Sequence, residues 1–174
     1  MGVLEQLGYE VTPANSAQRL TQKLTSSRPG AWVSQRTLYP IDKALFRITS
    51  GRFTVPELMA GLPVIMLTTT GAKTGELRRM PLVGTPLGGD VAVIGSNYGQ
   101  RRTPGWVYNL EANPAASVSY RERDVEVVAR RLNDADADAV FEQATKVYPG
   151  YGNYRERADH REIRVFVLEA APTA

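Results

Sequence analysis

From Leu62 onward the chain breaks into short runs rich in β-branched residues, each closed by glycine or proline. That texture predicts an all-β core and argues against alternating βαβ units. Val64 to Thr70 and Leu77 to Thr85 flank a turn at Gly71 to Gly75 and predict a hairpin. Val91 to Ser96 follows the turn Pro86 to Gly89, and Ala116 to Tyr120 and Val125 to Leu132 flank the charged turn Arg121 to Arg123. Ile163 to Leu168 sets Ile163, Val165 and Val167 on one face and Arg164, Phe166 and Leu168 on the other. Pro81 cannot donate to a ladder, so an edge or a bulge is expected there. Six short strands without an internal repeat suit a closed or split barrel, which leaves few sheet edges exposed.

Before the strands the pattern is helical. Asn15 or Ser16 can cap a helix whose Ala17, Leu20 and Leu24 fall at helical spacing, with Pro29-Gly30 ending it. Trp32 to Leu38 stops at Pro40, and Ile41 to Ile48 aligns Ile41, Leu45 and Ile48 before Gly51. The expected division is a helical extension over 1–60, packed on a barrel domain over 61–174. Within the barrel, Pro104 opens a short helix that Asn113-Pro114 stops, and Asp134 is expected to cap a helix carrying Val140, Ala144 and Val147 until Pro149-Gly150 breaks it.

Composition removes several chemistries. The chain has no cysteine, hence no thiolate nucleophile, and redox work must come from a bound organic cofactor. A single histidine, His160, excludes a two-histidine metal site, and no metal is expected; capping of a helix end together with Arg161 is its simplest reading. Met1 to Glu10 lacks a signal-peptide pattern, and no run reaches the roughly 20 apolar residues of a spanning helix. A soluble, cytoplasmic protein is the expectation. The formal net charge is +3 and the pI about 9.3, with Lys73, Arg78 and Arg79 in one cluster and Arg101 and Arg102 in another. Such patches attract anions.

Four segments carry the candidate chemistry. Thr68 to Arg79 sets three cations around a glycine-bearing hairpin tip, where glycines let backbone N–H groups approach a phosphate and the cations can hold it by charge-assisted bonds; an ordinary solvated turn has the same composition. It is not a Walker loop, since the Gly-Lys-Ser/Thr ending is missing. Gly95-Ser96-Asn97-Tyr98-Gly99 can present a hydroxyl and an amide to a ligand, or simply turn the chain. Trp106 can wall an aromatic cofactor or fill the core. Tyr148, Tyr151 and Tyr154, spaced by three around Pro149-Gly150, can converge on a cavity mouth or pack with their hydroxyls toward solvent.

Taken in order, Leu67 to Gly75, Arg78-Arg-Met-Pro-Leu82, Gly95-Ser-Asn97, Pro104-Gly-Trp106, Asn109 to Pro114, Tyr148-Pro-Gly-Tyr151 and Arg161 to Glu169 resemble the deazaflavin-dependent nitroreductase family of the split-barrel flavin-binding superfamily. The resemblance implies a mainly β (α+β) fold, an antiparallel split β-barrel with peripheral helices, that binds coenzyme F420 and reduces a quinone or other activated conjugated acceptor, with nitroaromatics as promiscuous substrates. It implies that Lys73 and Arg78, with Arg79, hold the anionic tail. Met80 and Pro81 would lie along the cofactor, Ser96, Asn97 and Gly99 would meet the ring region, and Trp106 would wall it. Tyr148, Tyr151 and Tyr154 would form the substrate pocket, with Tyr148, Tyr151 and Ser96 as catalytic candidates.

The sequence departs from the family pattern at Ala72, where a cation often precedes the lysine, at Asn97, where a lysine is known, and at Arg164, where proline is common. Arg79, Arg101 or Arg102 are the candidates to compensate. The fold alone does not select the flavin, so FMN is the alternative cofactor, and a non-catalytic binder of an anionic cofactor is the alternative of a different class. Small net charge without aromatic-basic interleaving disfavours nucleic acid. Members that touch membrane do so through their N-terminal part, and Arg19, Lys23 and Arg28 beside the first helix's apolar positions leave a weak peripheral contact at the membrane's inner face open. Monomer and homodimer both remain open.

Overall fold

The computed structural model describes residues 1–9 and 62–172. The three helices expected between Asn15 and Ile48, and with them Arg19, Lys23 and Arg28, lie outside the described residues. Strands β1 (Val64–Thr70), β2 (Leu77–Val83), β3 (Thr85–Leu87), β4 (Asp90–Ile94), β5 (Ala115–Tyr120), β6 (Arg123–Arg131) and β7 (Val165–Ala170) form one antiparallel sheet in the order β2-β1-β5-β6-β7-β4-β3.

The two edge strands of that order are consecutive in the chain, with only Gly84 between them. A sheet whose edges are joined by one residue has to curl, and the result is the split barrel. The expected count was six; the structure has seven, because the run from Leu77 to Thr85 bends at Gly84. On one side of the bend Val83 pairs with Val64, and on the other Thr85 pairs with Ala92. Crowding demands glycine there: a Cβ would stand 2.8 Å from the Tyr9 hydroxyl and 3.0 Å from Val91 Cγ1. The Tyr9 hydroxyl, 2.7 Å from the Gly84 carbonyl, donates into the bend. Pro81 sits on the edge strand β2, opposite Met66, where its missing N–H breaks no ladder.

Alternation along the strands divides the apolar residues between two cores. Ile65, Leu67, Val91, Val93, Val118, Phe166 and Leu168 meet Val3 and Leu7 of helix α1 (Val3–Leu7) and Trp106, Val107 and Leu110 of α2 (Gly105–Ala112). Val64, Ala92, Ile94, Val165 and Val167 face the other way, toward Val140, Phe141 and Ala144 of α3 (Asp134–Val147) and the tyrosines of the segment that follows. Each fully buried branched or aromatic side chain adds roughly 1.5–3 kcal/mol. The face assignment expected for the last strand holds, although the strand begins at Val165 rather than Ile163.

Helix α3 is capped one residue earlier than expected. Asn133 is extended, and its side chain accepts from the Asp136 amide at 2.9 Å, while Asp134 is the first helical residue. The helix ends because Pro149 forces the residue before it out of the helical region: Tyr148 has φ −143° and ψ 109°. A new short helix, α4 (Gly150–Arg157), then starts at an angle set by that break. No helix among the described residues is long and apolar enough to cross a membrane.

Candidate functional site

The β1–β2 hairpin carries the cations, and its turn is closed by its own backbone. The Gly71 amide donates to the Glu76 carbonyl at 2.8 Å and the Gly75 amide to the Gly71 carbonyl at 2.8 Å, with Gly75 in the left-handed region at φ 71°. The amides of these two glycines are therefore taken up in closing the turn. The turn is also fastened from outside. Asn109 of α2 accepts from the Ala72 amide at 3.0 Å and donates to the Thr69 hydroxyl at 2.9 Å.

Lys73, Arg78 and Arg79 are exposed. Arg78 pairs with Glu76 at 2.7 Å, both side chains more than half exposed. Strand alternation sends Arg78 and Met80 to one face of β2 and Arg79 and Pro81 to the other. Neighbours in sequence therefore do not form one continuous surface. Met80 packs against the core that holds Trp106, a residue 4% exposed whose ring meets Phe166 edge-on with centroids 6.1 Å apart.

The second element is the loop after β4. Ser96 is buried, and Asn97, Tyr98 and Gly99 have φ values of 46°, 56° and 77°. Left-handed backbone at a residue with a side chain costs roughly 1–2 kcal/mol, so something must hold it. Three groups do. The Asn97 amide nitrogen donates to the Arg102 carbonyl at 2.8 Å and to Gln100 Oε1 at 3.2 Å, which occupies the nitrogen expected to meet a ligand. Gly99 lies so close to α4 that a Cβ would fall 2.6 Å from Arg157 Cβ. Arg161 supplies the third hold: its guanidinium donates to the carbonyls of Ser96 at 2.7 Å, Gln100 at 2.9 Å and Gly95 at 3.2 Å. Burial lowers the pKa of this guanidinium.

Arg161 and His160 were expected at a helix end. Helix α4 instead finishes at Arg157, with Arg155 and Arg157 as its terminal cations, while His160 Nδ1 lies 3.6 Å from Asp159. Arg164 ion-pairs with Glu111 at 3.2 Å and lies over the Tyr108 ring at 5.4 Å, which ties the start of β7 to α2.

The third element is aromatic. Tyr148, Tyr151 and Tyr154 form a triangle with each pair of centroids 6.0 Å apart, and all three are buried. The hydroxyls of Tyr148 and Tyr154 are 3.2 Å apart. The three rings come together, and they fill the second core rather than send their hydroxyls to solvent. Tyr98, half exposed, stands edge-on to Tyr154 at 5.7 Å and carries the cluster outward. Burial, reinforced by Tyr98 and Tyr148, pushes the Tyr151 phenol well above its ordinary range, and burial with the Tyr148 contact does the same for Tyr154. Both stay neutral hydrogen-bond donors.

A family model described as F420H(2)-dependent quinone reductase matches residues 40–170, a span that contains all of these site residues. The chain belongs to the F420H(2)-dependent quinone reductase family. An F420H(2)-dependent quinone reductase of Mycobacterium tuberculosis (strain ATCC 25618 / H37Rv) is 32% identical over 134 residues, covering 75% of this chain and 89% of its own. Among solved structures, an F420-H2 dependent reductase (FDR-A) is 34% identical with a TM-score of 0.57, covering 62% of this chain and 94% of its own. A domain-swapped dimer is 30% identical with a TM-score of 0.59, covering 81% of this chain and 99% of its own.

Within this member of the quinone reductase family, three residues that the sequence did not point to as site residues hold or extend the candidate site: Asn109, Arg161 and Tyr98. Asn109 and Arg161 stood inside the family-like segments. What was missing was a partner, because the groups that define their roles, the Ala72 amide and Thr69 hydroxyl for Asn109 and the Gly95, Ser96 and Gln100 carbonyls for Arg161, are distant in sequence.

Proposed function

We propose that this chain is a reductase that takes hydride from reduced coenzyme F420 to a quinone or a similar activated, conjugated acceptor. The observation that carries the reading is the family match over residues 40–170, which contains the cationic hairpin, the left-handed loop and the tyrosine cluster. The residues present suit the cofactor's chemistry: an acidic tail needs exposed cations, and Lys73 is exposed on the self-closed turn with Arg78 and Arg79 exposed on β2 beside it. Bound, reduced F420 would supply the hydride.

In this reading Lys73 and Arg78 hold the tail by charge-assisted bonds, with Arg79 contributing from the other face of β2. The loop at Ser96, Asn97 and Gly99 borders the ring, and Met80, Pro81 and Trp106 support it from the sheet and from the core. Tyr98 offers the acceptor an exposed aromatic edge. Behind it Tyr148, Tyr151 and Tyr154 exclude water, and phenol hydroxyls of this cluster can stabilise negative charge that develops on an acceptor oxygen. Reduction of a quinone to a hydroquinone takes one hydride on the acceptor and one proton on its oxygen, so positioning matters more than nucleophilic strength. Nitroaromatics enter as promiscuous acceptors by the same chemistry.

The division into 1–60 and 61–174, a cytoplasmic location and a homodimer belong to the same proposal; the dimer rests on the domain-swapped relative and is tested by sedimentation. The function is tested by mixing protein, reduced F420 and a quinone analogue, beside parallel titrations with F420 and FMN. Saturable F420 binding and protein-dependent oxidation of the cofactor are expected. Absence of both, or preference for FMN, overturns the reading.

A further inference from the structure

We propose that Arg161 is a positioning residue for the redox centre: it clamps the Gly95–Gln100 loop in its left-handed form and so sets the surface against which the cofactor's ring rests. The inference deepens the functional reading above and rests on it for the ring's location. The clamp itself rests on geometry alone.

Arg161 sits beyond α4, more than 60 residues from the loop, and directs all three of its guanidinium nitrogens at backbone carbonyls there. Nη2 takes Ser96, Nη1 takes Gly95 and, at 3.3 Å, its neighbour Glu162, and Nε takes Gln100. Among the described residues it makes no ion pair, although Glu162, the next residue, pairs with Arg131 and approaches Arg164. An arginine free to choose a carboxylate would normally do so; here its fork is committed to peptide oxygens at both ends of one loop. The bonded carbonyls bracket Asn97, Tyr98 and Gly99, the three consecutive residues with positive φ. A clamp across that bracket opposes relaxation of a strained segment, and a planar fork with fixed angles can span three acceptors where a single ammonium cannot.

The loop's own backbone bonds share an acceptor with the clamp. Gly99 donates to the Ser96 carbonyl at 2.9 Å and Gln100 to the Asn97 carbonyl at 3.0 Å, and the Ser96 oxygen that accepts from Gly99 also accepts from Arg161. Loss of the guanidinium therefore loosens the same turn that carries Ser96 and Tyr98, leaving the barrel strands in place.

The test uses the full chain with Arg161→Lys and Arg161→Met, and two readouts. Hydrogen exchange in the ligand-free protein follows the Gly99 and Gln100 amides against β1–β5 amides. Faster exchange in the loop alone is expected in both variants, and unchanged loop exchange overturns the clamp whatever the cofactor. Binding is then titrated with F420 and with the deazaflavin riboside that lacks phosphate and tail. Affinity for both is expected to fall about tenfold, since the loss lies on the ring side. A loss confined to F420, or none in a variant whose loop has loosened, overturns the ring-positioning role. If the wild-type protein binds neither molecule while loop exchange still rises, the cofactor reading fails, and with it the ring-positioning role, while the clamp stands.

Discussion

Gly150 lies directly against the ring of Tyr148: a Cβ on Gly150 would stand 2.2 Å from Cε1 and 2.5 Å from Cζ of that ring. The contact explains how two helices meeting at Pro149 bring three phenols together. The ring of Tyr148 folds over the first residue of α4, and Tyr151 and Tyr154 close around it at 6.0 Å. Because the ring is buried, it has no room to give way. Gly150→Ala is expected to destabilise the fold by about 1–3 kcal/mol through overpacking. Urea unfolding measures this, and the KM for the acceptor is expected to change more than the affinity for F420.

Tyr151 and Tyr154 make stability fall at high pH. In the unfolded chain a phenol loses its proton near pH 10, while burial keeps these two protonated in the folded state. Above pH 10 the unfolded state therefore binds fewer protons than the folded one, and stability declines as pH rises. The contribution is complete below that point and is lost from there upward. Urea midpoints across roughly pH 9 to 11 are expected to fall more steeply for the wild type than for Tyr151→Phe or Tyr154→Phe. Tyrosinate absorbance should show both phenols ionising only with unfolding.

What the sequence reveals depends on how far away the partner lies. The two faces of β7 are legible because alternation is local, and the tyrosine cluster is legible because Pro149 dictates a break between phenols spaced by three. Gly84 is opaque: inside a β-type run it reads as a weak strand residue until Tyr9, 75 residues away, is seen against it. The Asn133 cap differs from the expected Asp134 by one residue, since both side chains can cap and only the backbone angle decides. Arg161 beside a short helix looks like a dipole partner, and its real acceptors carry no side-chain signature. The cofactor is legible only through resemblance to a family, because exposed cations on a hairpin specify an anion and nothing finer.

Asn109 fixes the hairpin without touching an anion. Its side chain spans from the Ala72 amide in the turn to the Thr69 hydroxyl in β1, so it registers the turn on α2. Asn109→Ala removes both bonds, and at roughly 0.5–1.5 kcal/mol each the turn becomes free to sample other positions. Affinity for F420 is expected to drop about tenfold, with no change for the tailless riboside. The opposite pattern, equal losses for both molecules, would mean that α2 acts on the ring loop and not on the tail.

Arg78 is held by Glu76 at 2.7 Å, so an acidic tail that reaches this arginine has to displace a carboxylate already present on the hairpin. The pair is exposed on both sides, and water and salt screen it, which limits its strength to about 1 kcal/mol or less. Removing the competitor should therefore help binding, and only modestly. Glu76→Gln keeps the side-chain length, and the Thr74 hydroxyl still accepts from its backbone amide. The expected result is tighter F420 binding, by at most about fivefold at low ionic strength, with the gain fading as salt is raised through the range where the Debye length falls below about 10 Å. Titrations at several salt concentrations measure it. Weaker binding in Glu76→Gln would show that the carboxylate orients Arg78 toward the tail and does not compete for it. An unchanged affinity at every salt concentration would remove Arg78 from the tail site and leave the grip to Lys73 and Arg79.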